Sequence, residues 1–83
     1  MFFDVMEVFN RNIGRKLTIM DIVFEIRTNP EIRKGKEGIP VNEIGVYRQV
    51  HKFFMKGRIK RELQPDGRTY VYFANAPLRD KYF

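Results

Sequence analysis

The sequence predicts an α+β fold: three helices followed by a C-terminal two-stranded β-hairpin. Three observations predict it. Apolar residues recur at helical spacing in three separate stretches. The stretch from Val41 to Ala74 reads as an amphipathic helix, a glycine stop, a basic strand, a tight turn and an aromatic strand. Finally, 83 residues with 43% hydrophobic and 14% aromatic content suit one small domain, residues 1–83, whose aromatic side chains build a core despite the short length.

The first helix is expected over about residues 1–12. Phe2, Met6, Phe9 and Ile13 follow the spacing of a buried stripe, and Phe3, Val5 and Val8 add a second strip. Asp4, Glu7 and Arg11 mark a narrow polar face. A helix this apolar buries more than one side, against the rest of the fold or against a second copy. Asn12 to Lys16 is a turn around Gly14, and Leu17 is a short extended residue. Thr18 is placed to cap a second helix over about 18–27, with Asp21 at the position of a capping box. Ile19, Ile22, Val23 and Ile26 form its core stripe, and Asn29-Pro30 disfavours its continuation. Thr28 to Pro40 is a polar loop, with a turn of helix around Glu31 to Lys34 as an option. It is long for a connection between two helices, which makes it functional or mobile.

A third helix is expected over about 42–56, with Asn42 as N-cap and Val46, Val50, Phe53 and Phe54 facing inward; Ile44 or Tyr47 sits at the margin. Gly57 fits the left-handed position after its last turn. The hairpin spans about 58–74, with strands at Arg58–Leu63 and Thr69–Ala74. Gln64-Pro65-Asp66-Gly67 between them suits a type I turn with the glycine at positive φ. The tail, residues 75–83, ends in Tyr82-Phe83, an aromatic pair suited to packing on the body or to an oligomer contact.

Composition removes several classes of function. The chain has neither Cys nor Ser, so disulfides, thiolate metal sites and serine or cysteine nucleophiles are excluded. The carboxylates form no ligand spacing with His51, the one histidine, which is read as a surface or half-packed residue. No metal, cofactor or enzymatic activity is expected. No apolar run approaches the ~20 residues of a membrane helix, and MFFDVMEVF lacks the basic start of a signal peptide, so a cytoplasmic protein is expected, or a nuclear one in a eukaryotic host.

The net charge is +6, unevenly spread. Residues 1–32 hold four Lys/Arg and five Asp/Glu, net −1; residues 33–83 hold twelve and five, net +7. That asymmetry points to a polyanion, nucleic acid before anionic membrane, with a merely solvated basic surface as the alternative.

With Leu17-Thr18-Ile19-Met20-Asp21-Ile22, Val46-Tyr47-Arg48, Val50, Phe53, Gly57-Arg58-Ile59 and Pro65-Asp66-Gly67-Arg68 in this order, the chain resembles the winged helix-turn-helix family over residues 4 to 74. The resemblance implies sequence-specific binding of double-stranded DNA by a small transcription regulator. The third helix would lie in the major groove and the hairpin would form the wing. Carried over by position, the outward residues of the recognition helix are Asn42, Glu43, Gly45, Arg48, Gln49 and Lys52. Arg48 suits guanine, and Gln49 suits adenine if it points outward. Gln64 to Arg68 form the wing, where Arg68, Arg58 and Lys60 meet backbone or minor groove, while Lys34 and Lys36 add diffuse charge. Two alternatives remain: a winged-helix protein-interaction module that reads no DNA, and a binder of single-stranded nucleic acid or RNA through exposed strand aromatics. A homodimer through residues 1–11 and the tail fits either a regulator or an interaction module.

Overall fold

In the computed structural model, helices α1 (Phe2–Arg11), α2 (Ile19–Thr28) and α3 (Glu43–Met55) precede strands β1 (Lys60–Leu63) and β2 (Tyr70–Phe73), an α+β layout consistent with a winged helix. The structure describes residues 2–32 and 41–79. The side chains of Phe2 and Phe3, the cluster with Lys34 and Lys36, and the terminal Tyr82 and Phe83 lie outside the described residues.

The three helices pack on one another in pairs, and the strands form an antiparallel hairpin. Its register sets Lys60 opposite Phe73, Arg61 opposite Tyr72, Glu62 opposite Val71 and Leu63 opposite Tyr70. Leu17 flanks the other edge of β2. Its N–H donates to the Tyr72 carbonyl at 2.8 Å, and Tyr72 N–H donates back at 2.7 Å. The extended residue between the first two helices is thus a one-residue third rung of the sheet. One core joins all these elements through Val5, Val8 and Phe9 of α1, Ile22, Val23 and Ile26 of α2, and Val46, Val50 and Phe53 of α3. Leu17, Ile59, Tyr72, Ala74 and Leu78 close it from the strand side. Fully burying each such Val, Leu, Ile or Phe contributes roughly 1.5–3 kcal/mol before chain entropy is charged against it.

Local chemistry fixes the element ends. Thr18 and Asp21 complete a reciprocal capping box, with Asp21 N–H donating to Thr18 Oγ1 at 3.0 Å and Thr18 N–H to Asp21 Oδ2 at 2.9 Å. Asn42 Oδ1 accepts from Gly45 N–H at 2.8 Å and starts α3. At the other end of α3, Gly57 N–H bonds the Phe54 carbonyl and Arg58 N–H bonds that of Phe53, both at 2.9 Å. This is a Schellman motif, and Gly57 takes the left-handed φ of 73° that it requires. The strands are shorter than expected because this motif consumes Arg58 and turns the chain before pairing begins. In the hairpin turn Gly67 N–H returns to the Gln64 carbonyl at 2.9 Å. Asp66 accepts from Thr69 Oγ1 at 2.7 Å and from the N–H groups of Thr69 and Arg68, each at 2.9 Å. These bonds, the Thr69 hydroxyl first, hold the Asp66 carboxyl below its ordinary pKa.

α1 departs from its expected faces. Its buried stripe is Val5, Val8 and Phe9; Met6 lies at the margin, and Ile13 is 44% exposed. The helix stops at Arg11, and the turn that follows takes Ile13 off the helical spacing. Asp4 is not on the polar face but buried, at 4% exposure. The tail accounts for part of the extra coverage. Asn10 Nδ2 donates to the Leu78 carbonyl at 3.1 Å, and Leu78 N–H donates to Asn10 Oδ1 at 2.7 Å, pinning the C-terminal segment on α1. Val5, Val8 and Phe9 of α1 are therefore buried by the protein's own chain. Arg11 ties Glu7 and Glu31 together at 2.9 and 2.8 Å, and both carboxylates, Glu31 first, raise its pKa. Past α2, Asn29 Oδ1 accepts from Glu31 N–H at 3.0 Å and Ile32 is buried. The Arg27 guanidinium grips the Val41 carbonyl with Nε at 3.1 Å and a terminal nitrogen at 2.6 Å.

Candidate nucleic-acid interface

α3 buries the stripe Val46, Val50 and Phe53, so its crest is whatever lies opposite them at about 100° per residue. Two lanes occupy it. Arg48, Lys52 and Lys56, at i, i+4 and i+8, form a basic lane, all exposed. Ile44, Tyr47, His51 and Met55, at i, i+3, i+7 and i+11, form an apolar lane beside it. Ile44 is 66% exposed and Met55 68%. The Tyr47 and His51 rings stack at 5.8 Å, with 15° between their planes. Like charges four apart on a helix repel by roughly 0.2–0.5 kcal/mol per pair. The basic lane holds two such pairs, softened toward the C-terminus of α3 by the helix dipole.

No acid side chain pairs with Arg48 or Lys52 among the described residues. Among the described residues, Glu7 and Glu31 bind Arg11, Asp21 closes the α2 cap and Glu25 accepts from Asn12 at 2.9 Å. Glu62 pairs with Lys16 at 3.0 Å, and Asp66 holds the turn. Arg48, Lys52 and the Arg68 side chain make no ion pair or side-chain hydrogen bond among the described residues. Arg68 comes near the start of α3, where it lines a groove of about 350 Å³ with Glu43, Tyr47, Thr69 and the first turn of α2. The hairpin thus runs back along α3 and brings its tip to the N-terminal end of the helix.

The expected site residues divide accordingly. Arg48 and Lys52 are exposed on the crest of α3. Arg68 and Glu43 are exposed at its N-terminal end, where Glu43, three residues before Val46, lies on the side away from the crest. Asn42 is exposed, but its carbonyl oxygen is occupied by the cap. Gly45 is half-buried and offers only backbone. Gln49 does not point outward as an adenine reader must: its Oε1 is buried and has no partner among the described residues. The cause is its place on the helix, three residues after Val46 and four before Phe53, both fully buried. Lys60 is exposed but separated from the crest. It shares a hairpin face with Phe73, Val71 and Glu62, whereas Arg61 and Tyr72 occupy the face turned to α3. On that outer face Lys16 pairs with Glu62 and lies 5.9 Å from the Phe73 ring centroid, so the charge there is partly balanced. Arg58 is exposed at the bend between α3 and β1.

No known protein family, curated protein or solved structure matches the chain.

Sequence reasoning missed two features. One is the apolar lane. Once Val46, Val50 and Phe53 are taken as the buried stripe, Ile44 and Met55 fall opposite them, so the helical wheel carried the signal. The other is Arg61, whose guanidinium carbon lies 4.2 Å from the Phe54 ring centroid and 4.3 Å from that of Tyr70. This sandwich rivets the hairpin to α3. It also occupies one face of Tyr70, while Tyr72 is 3% exposed with its pKa raised by burial. Neither tyrosine is an open platform for an unpaired base.

Proposed function

We propose that the protein binds double-stranded DNA, with α3 in the major groove and the hairpin tip beside it, as a small transcription regulator. The observation that supports this reading best is the basic lane on α3, whose Arg48 and Lys52 lack acid partners among the described residues while almost every described acid is committed elsewhere. A helix that holds like charges in series is stabilised when a polyanion replaces its counterions. An α-helix of about 10–12 Å diameter matches a major groove about 12 Å wide. In this reading Arg48 takes a guanine edge, and Lys52, Arg58 and Arg68 contact backbone. The protein is a non-enzymatic binder acting in the cytoplasm, and its resemblance to winged-helix regulators adds support. Gln49 has no base-reading role here.

Titration of a random duplex library by fluorescence anisotropy at several salt concentrations tests the proposal. Neutralising three or four phosphates gives a slope of log K on log salt of about −2.7 to −3.6. Arg48→Ala combined with Lys52→Ala should flatten that slope by about two units if both touch phosphate, or by one with relaxed base preference if Arg48 reads guanine. Binding that ignores both salt and these changes would overturn it.

A second reading has its own observation. Ile44, Met55, Phe24 and Met20 are all more than half exposed, as an interaction module that docks protein would require. Solution mass with and without duplex separates the two: self-association or partner capture without any duplex affinity supports the module.

A further inference from the structure

The apolar lane on α3 has no role in phosphate contact, yet it runs the length of the surface assigned to DNA. Ile44 is the member placed for a base edge. It is the second residue of α3, and the N-terminal residues of a groove-bound helix are those that reach base edges. It lies one turn before Arg48, about 6 Å along the axis and about 40° around it. It is 66% exposed, so it contributes little to the core. Tyr47 and His51 stack on each other at 5.8 Å beside it, which keeps the neighbouring part of the lane ordered.

We infer that Ile44 is a specificity-determining residue that packs on the 5-methyl group of a pyrimidine, within one or two base steps of the guanine taken by Arg48. The inference rests on the duplex-binding reading above. In the major groove the pyrimidine 5-methyl is the apolar group on the base edges, and a side chain with no donor or acceptor can recognise only that. The cations at its flank supply the charge complementarity: Arg48 and Lys52 draw phosphates to one side of the lane and set the lane over the groove floor, where the methyl lies. About 6 Å of helix rise corresponds to about two base steps at 3.4 Å each, so one residue pair spans a dinucleotide or its neighbour. Thymine and 5-methylcytosine present the same methyl group, and the test distinguishes them.

The experiment takes the tightest duplex from the random-library selection and measures the full-length protein and its Ile44→Ala variant on three versions: unchanged, with every thymine replaced by uracil, and with cytosines 5-methylated. Circular dichroism checks that the variant keeps its fold. Loss of one buried methyl should weaken wild-type binding about fourfold. Ile44→Ala should bind the thymine and uracil duplexes within about 1.5-fold of each other, by loss of the same contact. If the reader sees 5-methylcytosine instead, cytosine methylation strengthens wild-type binding by a similar factor and leaves the variant unmoved. Salt-dependent duplex binding in which wild type and variant respond alike to methyl removal and addition overturns the inference and leaves the duplex reading standing. Absence of duplex binding overturns both.

Discussion

Removing Arg61 should loosen the hairpin from α3 without touching the crest of the helix. Its guanidinium lies between Phe54 at 4.2 Å and Tyr70 at 4.3 Å, and the residue is half-buried. A cation over one ring is worth roughly 0.5–1 kcal/mol when exposed and about 2 kcal/mol when desolvated. Two rings in an intermediate setting give about 1.5–3 kcal/mol, and Arg61→Ala also strips the aliphatic stem from the Phe54 and Tyr70 rings. Arg61→Met keeps most of the stem and should recover about half of the loss. For a chain of this size each kcal/mol moves Tm by about 4–8 °C, so Arg61→Ala should melt roughly 6–24 °C lower. Urea unfolding followed by far-UV circular dichroism and by tyrosine fluorescence gives the free energy directly. Under conditions where the variant remains folded, the proposed duplex binding should weaken less than in Arg48→Ala, because Arg61 is held against Phe54 and Tyr70. An Arg61→Ala protein within 0.5 kcal/mol of wild type, the range of an ordinary surface change, would refute the sandwich as a structural rivet.

Further outcomes follow from other contacts. Asn10→Ala removes both hydrogen bonds to the Leu78 backbone and should cost about 1–3 kcal/mol, with faster proteolysis of the tail as a second readout. The Asp66 carboxyl has a depressed pKa in the folded hairpin, so its contribution is complete above the ordinary carboxylate pKa and is lost as pH falls through the lower folded value. Amide exchange at Thr69 should therefore quicken in strong acid, and Asp66→Asn should remove that dependence. A Thr69 exchange profile equal in both proteins would refute the assignment. Arg48→Ala with Lys52→Ala and Ile44→Ala should leave the melting temperature nearly unchanged while altering duplex binding. A large loss of stability in either would show that these side chains serve the fold.

Much of the fold was legible where a residue's own chemistry decides its backbone. Thr18 with Asp21, Asn42, Gly57 and the Pro65-Asp66-Gly67 turn each act within a few residues, so their types and spacing sufficed. Faces were harder. In α1 two apolar strips competed, and only the tertiary partners, including the tail pinned at Asn10, select Val5, Val8 and Phe9 and enclose Asp4. Gln49 was misread because a polar side chain on an amphipathic helix was taken as outward, although its position between Val46 and Phe53 puts it at the edge of the core. The hairpin held a usable signal. The turn sets Gln64 opposite Thr69, which aligns Arg61 with Tyr72 and Lys60 with Phe73. Counting outward from the turn therefore splits the basic strand into an inward arginine and an outward lysine. What the strand cannot reveal is that Phe54 arrives from α3 to complete the sandwich.

The grip of Arg27 on the Val41 carbonyl has an evolutionary consequence. With Ile32 and Val41 both buried and the start of α3 tethered to the end of α2, the two helices keep their mutual orientation whatever the length of chain that joins these anchors. Doubling a loop costs only about 0.6 kcal/mol in closure entropy. Residues gained or lost between those anchors leave α3 at the same angle to α2, so drift in that segment carries little penalty for the body of the molecule.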